Sequence, residues 1–213
     1  MTTPTSARAG HLIEILLRTF ALATYGVLVW NIAMAWWADT SRVTLLLLLA
    51  SETFTMCLVL FARHAAIRDL SPVALAATMY AAFFFVFFEY GGTRHLVPEW
   101  AGAALQLTGL AWQTASKAAL GRSFGLLPAA RGLVTAGPYR IVRHPIYLGY
   151  LIGHVGFLLS NFSWLNMLVL AVLYLAQVVR MLREEAVLHA GEQRGAYRAY
   201  CGNVRYRLVP YLF

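Results

Sequence analysis

Apolar residues fall into six runs separated by short polar stretches, at 12–37, 43–62, 71–90, 98–116, 146–160 and 163–181. A helix needs about 20 apolar residues to cross the hydrocarbon of a bilayer, so each of the first four runs predicts a span. The fifth is short, ending before Asn161, and is predicted to thin the bilayer or to stop inside it. The sixth starts at Ser163, a side chain suited to capping a helix, and ends just before Arg183-Glu184-Glu185. The first run is too long, and too interrupted by Glu14 and Arg18, for a cleaved signal peptide. The pattern predicts an all-α, polytopic membrane bundle of about six spans with a cytoplasmic helical tail. In that tail the last helix continues to about 190, Gly191 breaks it, and a second helix covers about 193–203. The chain divides into a four-span half, 1–116, and a second half, 117–213, made of a Gly-, Arg- and Pro-rich connection, a helical hairpin and the tail.

Composition agrees with the pattern. The chain is 60% hydrophobic and 12% charged, against roughly 25% charged residues in soluble domains. With a cytoplasmic N-terminus, six spans put fourteen of the 17 Lys and Arg residues inside, with Arg42 and Arg94 outside and Arg18 within the first span. That is the positive-inside arrangement. The net charge of +8 then reads as topology and contact with anionic headgroups, not as nucleic-acid binding. Cys57 and Cys201 form no metal-ligand spacing, and no metal is expected. Oligomeric state is left open.

Polar residues inside apolar runs are functional candidates by default. Glu52, flanked by Ser51, Thr53 and Thr55 near the middle of the second run, either is paired or faces a polar cavity that holds substrate. Glu14 and Arg18 are spaced for a local ion pair, and Glu89 lies near Arg94 and His95 at the outer interface. Gly149, Gly153, Gly156 and Ser160 share one helix face. That face either packs tightly against the sixth span or leaves room for a ligand against the backbone.

The densest chemistry is Gly137-Pro-Tyr-Arg-Ile-Val-Arg-His-Pro-Ile-Tyr-Leu-Gly149 at the mouth of the fifth run, returned by the hairpin to the side of Glu184-Glu185. Pro145 biases His144 away from helical geometry and suits the first helical turn, so His144 is presented at the helix entrance. The next backbone N–H groups, of Ile146 and Tyr147, can face an anion. Arg143 can pair with a carboxylate from a ligand or from Glu184 or Glu185. Adjacent helical residues diverge by about 100°, so Glu184 and Glu185 should have different partners. Tyr197 and Tyr200 share a face with Val204. Arg143, His144 and Glu185 are the candidate catalytic groups.

These linked motifs, with Glu184-Glu185-Ala-Val-Leu188 and Tyr197-Arg-Ala-Tyr200, resemble the isoprenylcysteine carboxyl methyltransferase family and its phospholipid N-methyltransferase relatives. The resemblance runs from about Gly121 to Pro210 and includes Ser123-Phe124 and Leu133-Val-Thr-Ala-Gly137. It implies an integral membrane enzyme using S-adenosylmethionine from the cytoplasmic side, with a lipophilic or lipid-linked acceptor entering from the bilayer. Carried onto this chain, Gly137, Tyr139, Arg143, His144, Pro145, Tyr147, Gly149, Glu184, Glu185, Tyr197 and Tyr200 would form the cofactor site, with the tail helix closing over it. The chain departs from the family between Leu188 and Tyr197, where it lacks a frequent Phe-Gly, and at Gly125-Leu126, where the eukaryotic isoprenylcysteine enzymes are polar. The isoprenylcysteine substrate therefore does not follow. No side chain stands out as a general base, which favours an acceptor already anionic, such as a carboxylate; a thiol or amine would need His144 or a carboxylate as base. The alternative is a reductase-like or noncatalytic relative of the same superfamily.

Overall fold

The computed structural model describes residues 4–60, 71–120, 133–191 and 194–213, and side chains from residue 19 onward apart from 21 and 58–60. The side chains of Arg8 and of the Glu14–Arg18 pair, and the whole of Arg63, Arg68, Arg122, Ser123-Phe124, Gly125-Leu126 and Arg131, lie outside what is described. Among the described residues there are seven α-helices and no strands: α1 Pro4–Ala38, α2 Val43–Leu60, α3 Pro72–Phe83, α4 Glu99–Leu120, α5 Pro145–Ser160, α6 Trp164–Ala190 and α7 Arg194–Asn203. Of these, α6 is long and apolar enough to cross a membrane, and shorter apolar helices cover Leu22–Ala38, Val43–Cys57, Pro72–Phe87 and Pro145–Ser160.

Local signals set several boundaries. Ser163 caps α6 by accepting from the Asn166 N–H at 3.1 Å, and Gly191 ends it with an extended backbone. The run 71–90 is not one span-length helix. After Phe83 the chain tightens into the 3-10 turn Phe84–Phe87 and is extended at Phe88. Two interactions explain the early end. Phe84, Phe85 and Phe88 all bury their rings, Phe88 stacking on Phe157 at 4.8 Å. Beyond them, the buried Asn166 amide acts as a surrogate peptide, accepting from Glu89 N at 2.8 Å and donating to Glu89 O at 2.9 Å. His95, expected beside Glu89, contacts Glu99 at 3.6 Å.

The tightest packing joins α4 and α5, not α5 and α6 as the glycine spacing suggested. A Cβ on Gly109 would lie 2.5 Å from both Gly149 O and Gly153 N, and one on Gly149 would lie 2.7 Å from Gln113 N. Gly102 meets Gly156 and Ser160 in the same seam. The buried face of α4 is therefore small or polar (Gly102, Gln106, Gly109, Gln113, Ser116, Lys117), while Trp100 and Leu107 are exposed. This is the reverse of a soluble amphipathic helix.

At the end of the bundle away from Glu184-Glu185, Arg42 donates to Tyr90 O, Thr93 Oγ1 and Asn161 Oδ1, and Thr44 donates to Glu99 at 2.6 Å. Arg94 and Phe162 exchange backbone hydrogen bonds of 2.8 Å. One network thus ties together the connections α1–α2, α3–α4 and α5–α6.

Candidate functional site

The opposite end gathers the motif residues. Gly137 has φ +61°, a left-handed conformation that glycine adopts without steric cost, and opens a 3-10 turn over Gly137–Arg140. Pro145 occupies the first turn of α5, and His144 before it is non-helical (φ −123°, ψ 62°), as the His-Pro pair predicts. The backbone of this loop is fastened by the C-terminal segment: Arg143 N donates to Tyr206 O at 2.9 Å and His144 N to Arg207 O at 2.8 Å.

Glu185, near the end of α6 and beyond its apolar part, is the centre of the cluster. Its Oε1 lies 3.2 Å from His144 Nε2 and 3.4 Å from Arg143 Nε; its Oε2 accepts from Arg207 Nε at 3.0 Å. Burial on its own would raise the Glu185 carboxyl. The hydrogen bond and charge of His144, with Arg207 and Arg143, outweigh it and hold the group at about 2. Glu185 is therefore an anion with both oxygens occupied and a poor base. Glu184, one residue earlier, points elsewhere: its side chain is 37% exposed, and Oε2 sits 4.0 Å from His144 Nδ1. The two carboxylates have different partners, as their 100° divergence requires.

Other motif residues support the cluster in different ways. The Tyr147 ring lies 5.7 Å from the His144 ring, with the Arg180 guanidinium 5.5 Å from its centre. Tyr139 is buried, and its carbonyl accepts from Tyr200 Oη at 2.7 Å. Burial pushes the Tyr200 phenol up to about 12 and raises those of Tyr139 and Tyr197, so they stay protonated donors. Tyr197, Tyr200 and Val204 form a small core with Leu133, Leu188 and Cys201, which holds α7 against the end of α6. Gly149 is in the α4–α5 seam and not in the polar cluster. An open cleft of about 790 Å³ lies between residues 133–140 and α7, lined among others by Thr135, Arg140, Tyr200 and Asn203; this size suits a small-molecule ligand. Its lining includes Tyr200 but not His144, Glu184 or Glu185.

Two contributors were not foreseen. Arg207 completes the shell of Glu185, and Cys201 Sγ lies 3.1 Å from Arg143 Nη1. Neither position has a local motif; both depend on the tail folding back onto the loop. Glu52, on α2, lies well away from this cluster, with its Oε1 4.0 Å from Nε2 of His154 on α5.

Residues 97–190 match the family model described as phospholipid methyltransferase. The match runs from the start of α4 to the end of α6, covers less than half of the chain, and agrees with the relationship indicated by the Gly137–Gly149 and Glu184-Glu185 motifs. No curated protein matches the chain.

Proposed function

We propose that this chain is an integral membrane methyltransferase that uses S-adenosylmethionine and methylates a small lipophilic or lipid-linked acceptor, preferentially at a carboxylate. The observation that carries the proposal is the convergence of Arg143, His144 and Arg207 on Glu185 with Glu184 left half-exposed beside His144. The phospholipid methyltransferase match over residues 97–190, which holds Arg143, His144, Glu184 and Glu185 but not Arg207, supports it. A membrane setting is supported by the outward-facing Trp100, Leu107, Leu168 and Leu175, since soluble monomers rarely expose large apolar patches. The fourteen-to-two charge bias favours six spans with both termini and the site cytoplasmic.

The donor set fits the cofactor. Glu184 has the charge and exposure to bind an ammonium or ribose hydroxyls, and His144 Nδ1 is placed to share that ligand. Tyr147 offers a ring face for a cationic centre. When bound, S-adenosylmethionine supplies an activated methyl group on a sulfonium. Glu185, spent on three cationic or donor groups, orients the loop and cannot readily take a proton. An acceptor that arrives as an anion needs only alignment and removal of water, and Arg180 beside Tyr147 is a cation suited to orienting it. That favours a carboxylate.

Binding of S-adenosylhomocysteine to detergent-purified protein tests the cofactor assignment. A micromolar ligand at a hundredfold excess over its dissociation constant should stabilise the fold by about 2.7 kcal/mol, visible as a rise in melting temperature. A rise with NADPH and none with S-adenosylhomocysteine would replace this reading with a reductase.

A further inference from the structure

A second buried polar cluster lies deeper in the bundle and takes no part in the cofactor site. On α5, His154 follows His144 by ten residues, roughly 15 Å of helix rise. His154 Nδ1 is 2.8 Å from Tyr174 Oη on α6, and its Nε2 is 4.0 Å from Glu52 Oε1 on α2. The rings of Tyr147 and Tyr150 fill the interval, with centroid steps of 5.7, 6.5 and 6.2 Å from His144 to His154. Positions 147, 150 and 154 lie on a different face of α5 from Gly149, Gly153 and Gly156, so the α4–α5 seam does not account for them.

Glu52 is the unusual member. Its side chain is 11% exposed, and its His154 contact of 4.0 Å is longer than a hydrogen bond. The neighbouring hydroxyls are directed elsewhere: Ser51 Oγ accepts from Gln113 Nε2 at 2.9 Å, and Thr55 donates to Ser51 O at 3.0 Å. With Tyr174 as the donor to Nδ1, the His154 proton sits on Nε2 and faces Glu52. Among the described residues no donor lies within hydrogen-bond distance of the Glu52 carboxylate, and a carboxylate among apolar side chains is costly without one.

We infer that Glu52, His154 and Tyr174 form a recognition site for an uncharged hydroxyl carried on the acceptor's chain, about 15 Å deeper than its reacting end. The charge of the ligand group follows from Lys117, whose ammonium donates to Thr55 Oγ1, about one helical turn along α2 from Glu52, at 3.3 Å and lies over the Tyr150 ring at 4.9 Å. With Lys117 balancing Glu52, an ammonium or a second carboxylate would bring an uncompensated charge into the bundle. A hydroxyl brings only a donor, at a far smaller desolvation cost than an ion. The proposal rests on the methyltransferase reading and extends it to a carboxylic acid bearing a mid-chain hydroxyl.

The test compares 12-hydroxyoctadecanoic acid with octadecanoic acid, by calorimetric titration of the full chain saturated with S-adenosylhomocysteine. A hydrogen bond to a carboxylate should make the hydroxy acid bind about tenfold more tightly. That preference should disappear in Glu52→Leu and shrink in His154→Phe, which keeps the ring stack, while S-adenosylhomocysteine affinity is unchanged. Equal binding of the two acids, binding of neither, or a preference that survives Glu52→Leu overturns the inference. So does loss of S-adenosylhomocysteine binding in both variants, which would assign the cluster to the cofactor. Methyl transfer from radiolabelled donor to either acid is scored separately. Its absence with the binding preference intact counts against the carboxylate reaction and leaves the recognition site standing.

Discussion

Glu184 and Glu185 are neighbours in the chain with opposite tasks. Removing the charge of Glu185 leaves Arg143, Arg207 and His144 around a neutral amide, and breaking a buried ionic cluster from one side costs about 3–5 kcal/mol. Glu185→Gln should therefore lower both the melting temperature and the affinity for S-adenosylhomocysteine. Glu184 is half-exposed and tied to His144 only at 4.0 Å, so Glu184→Gln should lower that affinity about tenfold with the melting temperature unchanged. A matched loss of stability in the two variants would show that both carboxylates are structural. The pH dependence follows from the sign of the shift. Glu185 titrates at about 2 in the folded chain against an ordinary 4.5, so its stabilisation is complete above about 4.5 and is lost as pH falls toward 2. The melting-temperature gap between wild type and Glu185→Gln should narrow as pH falls below about 4.5 toward 2. At this scale the chain was readable where the cause is local. Pro145 alone dictates how His144 is presented, and the turn of the helix alone separates the two carboxylates. Arg207 was not readable, because its place depends on residues 206–207 pairing with 143–144 some sixty positions earlier.

For helices, periodicity reveals which face is special but not what meets it. The spacing of Gly149, Gly153, Gly156 and Ser160 marked a close-packing face, and the partner is α4 because Gly102 and Gly109 present matching gaps. The run 71–90 failed for a related reason. Its hydropathy is uniform, and nothing in it signals that Asn166, on α6, captures the backbone of Glu89. The seam gives a sharp contrast between two glycines. At Gly109 a methyl group would press on two backbone atoms of α5 at 2.5 Å, whereas a Cβ on Gly153 meets nothing within 4 Å. Gly109→Ala should destabilise the protein by about 1–3 kcal/mol, and Gly153→Ala by no more than about 0.5 kcal/mol. Unfolding midpoints in detergent measure both. Equal effects would mean that α4 and α5 do not pack in this register.

The whole molecule has a polar network at each end and a smaller polar cluster between them. Arg42, Asn161, Asn166 and Glu99 hold three connections at one end; Arg143, His144, Glu185 and Arg207 hold the loop and tail at the other. α5 and α6 run in opposite directions between these ends, so in the proposed six-span arrangement the two networks lie on opposite sides of the membrane. In the proposed topology the Glu185 end is the cytoplasmic one, because it carries the dense arginines of the loop and tail. A single cysteine at the α1–α2 connection (Thr40→Cys) and another at the end of α7 (Asn203→Cys) report the two sides separately. The background needs Cys57→Ser and Cys201→Ser, the serine at 201 keeping an acceptor for Arg143. Both reporter positions are exposed, so burial does not limit reaction with an impermeant maleimide. The cysteine at 40 should react in intact cells, and the cysteine at 203 only in inverted vesicles. Labelling of 203 from outside would reverse the orientation and place the Glu184 side chain away from a cytoplasmic cofactor. Labelling of both from the same side would mean that an odd number of crossings does not separate them, and the six-span arrangement would fail.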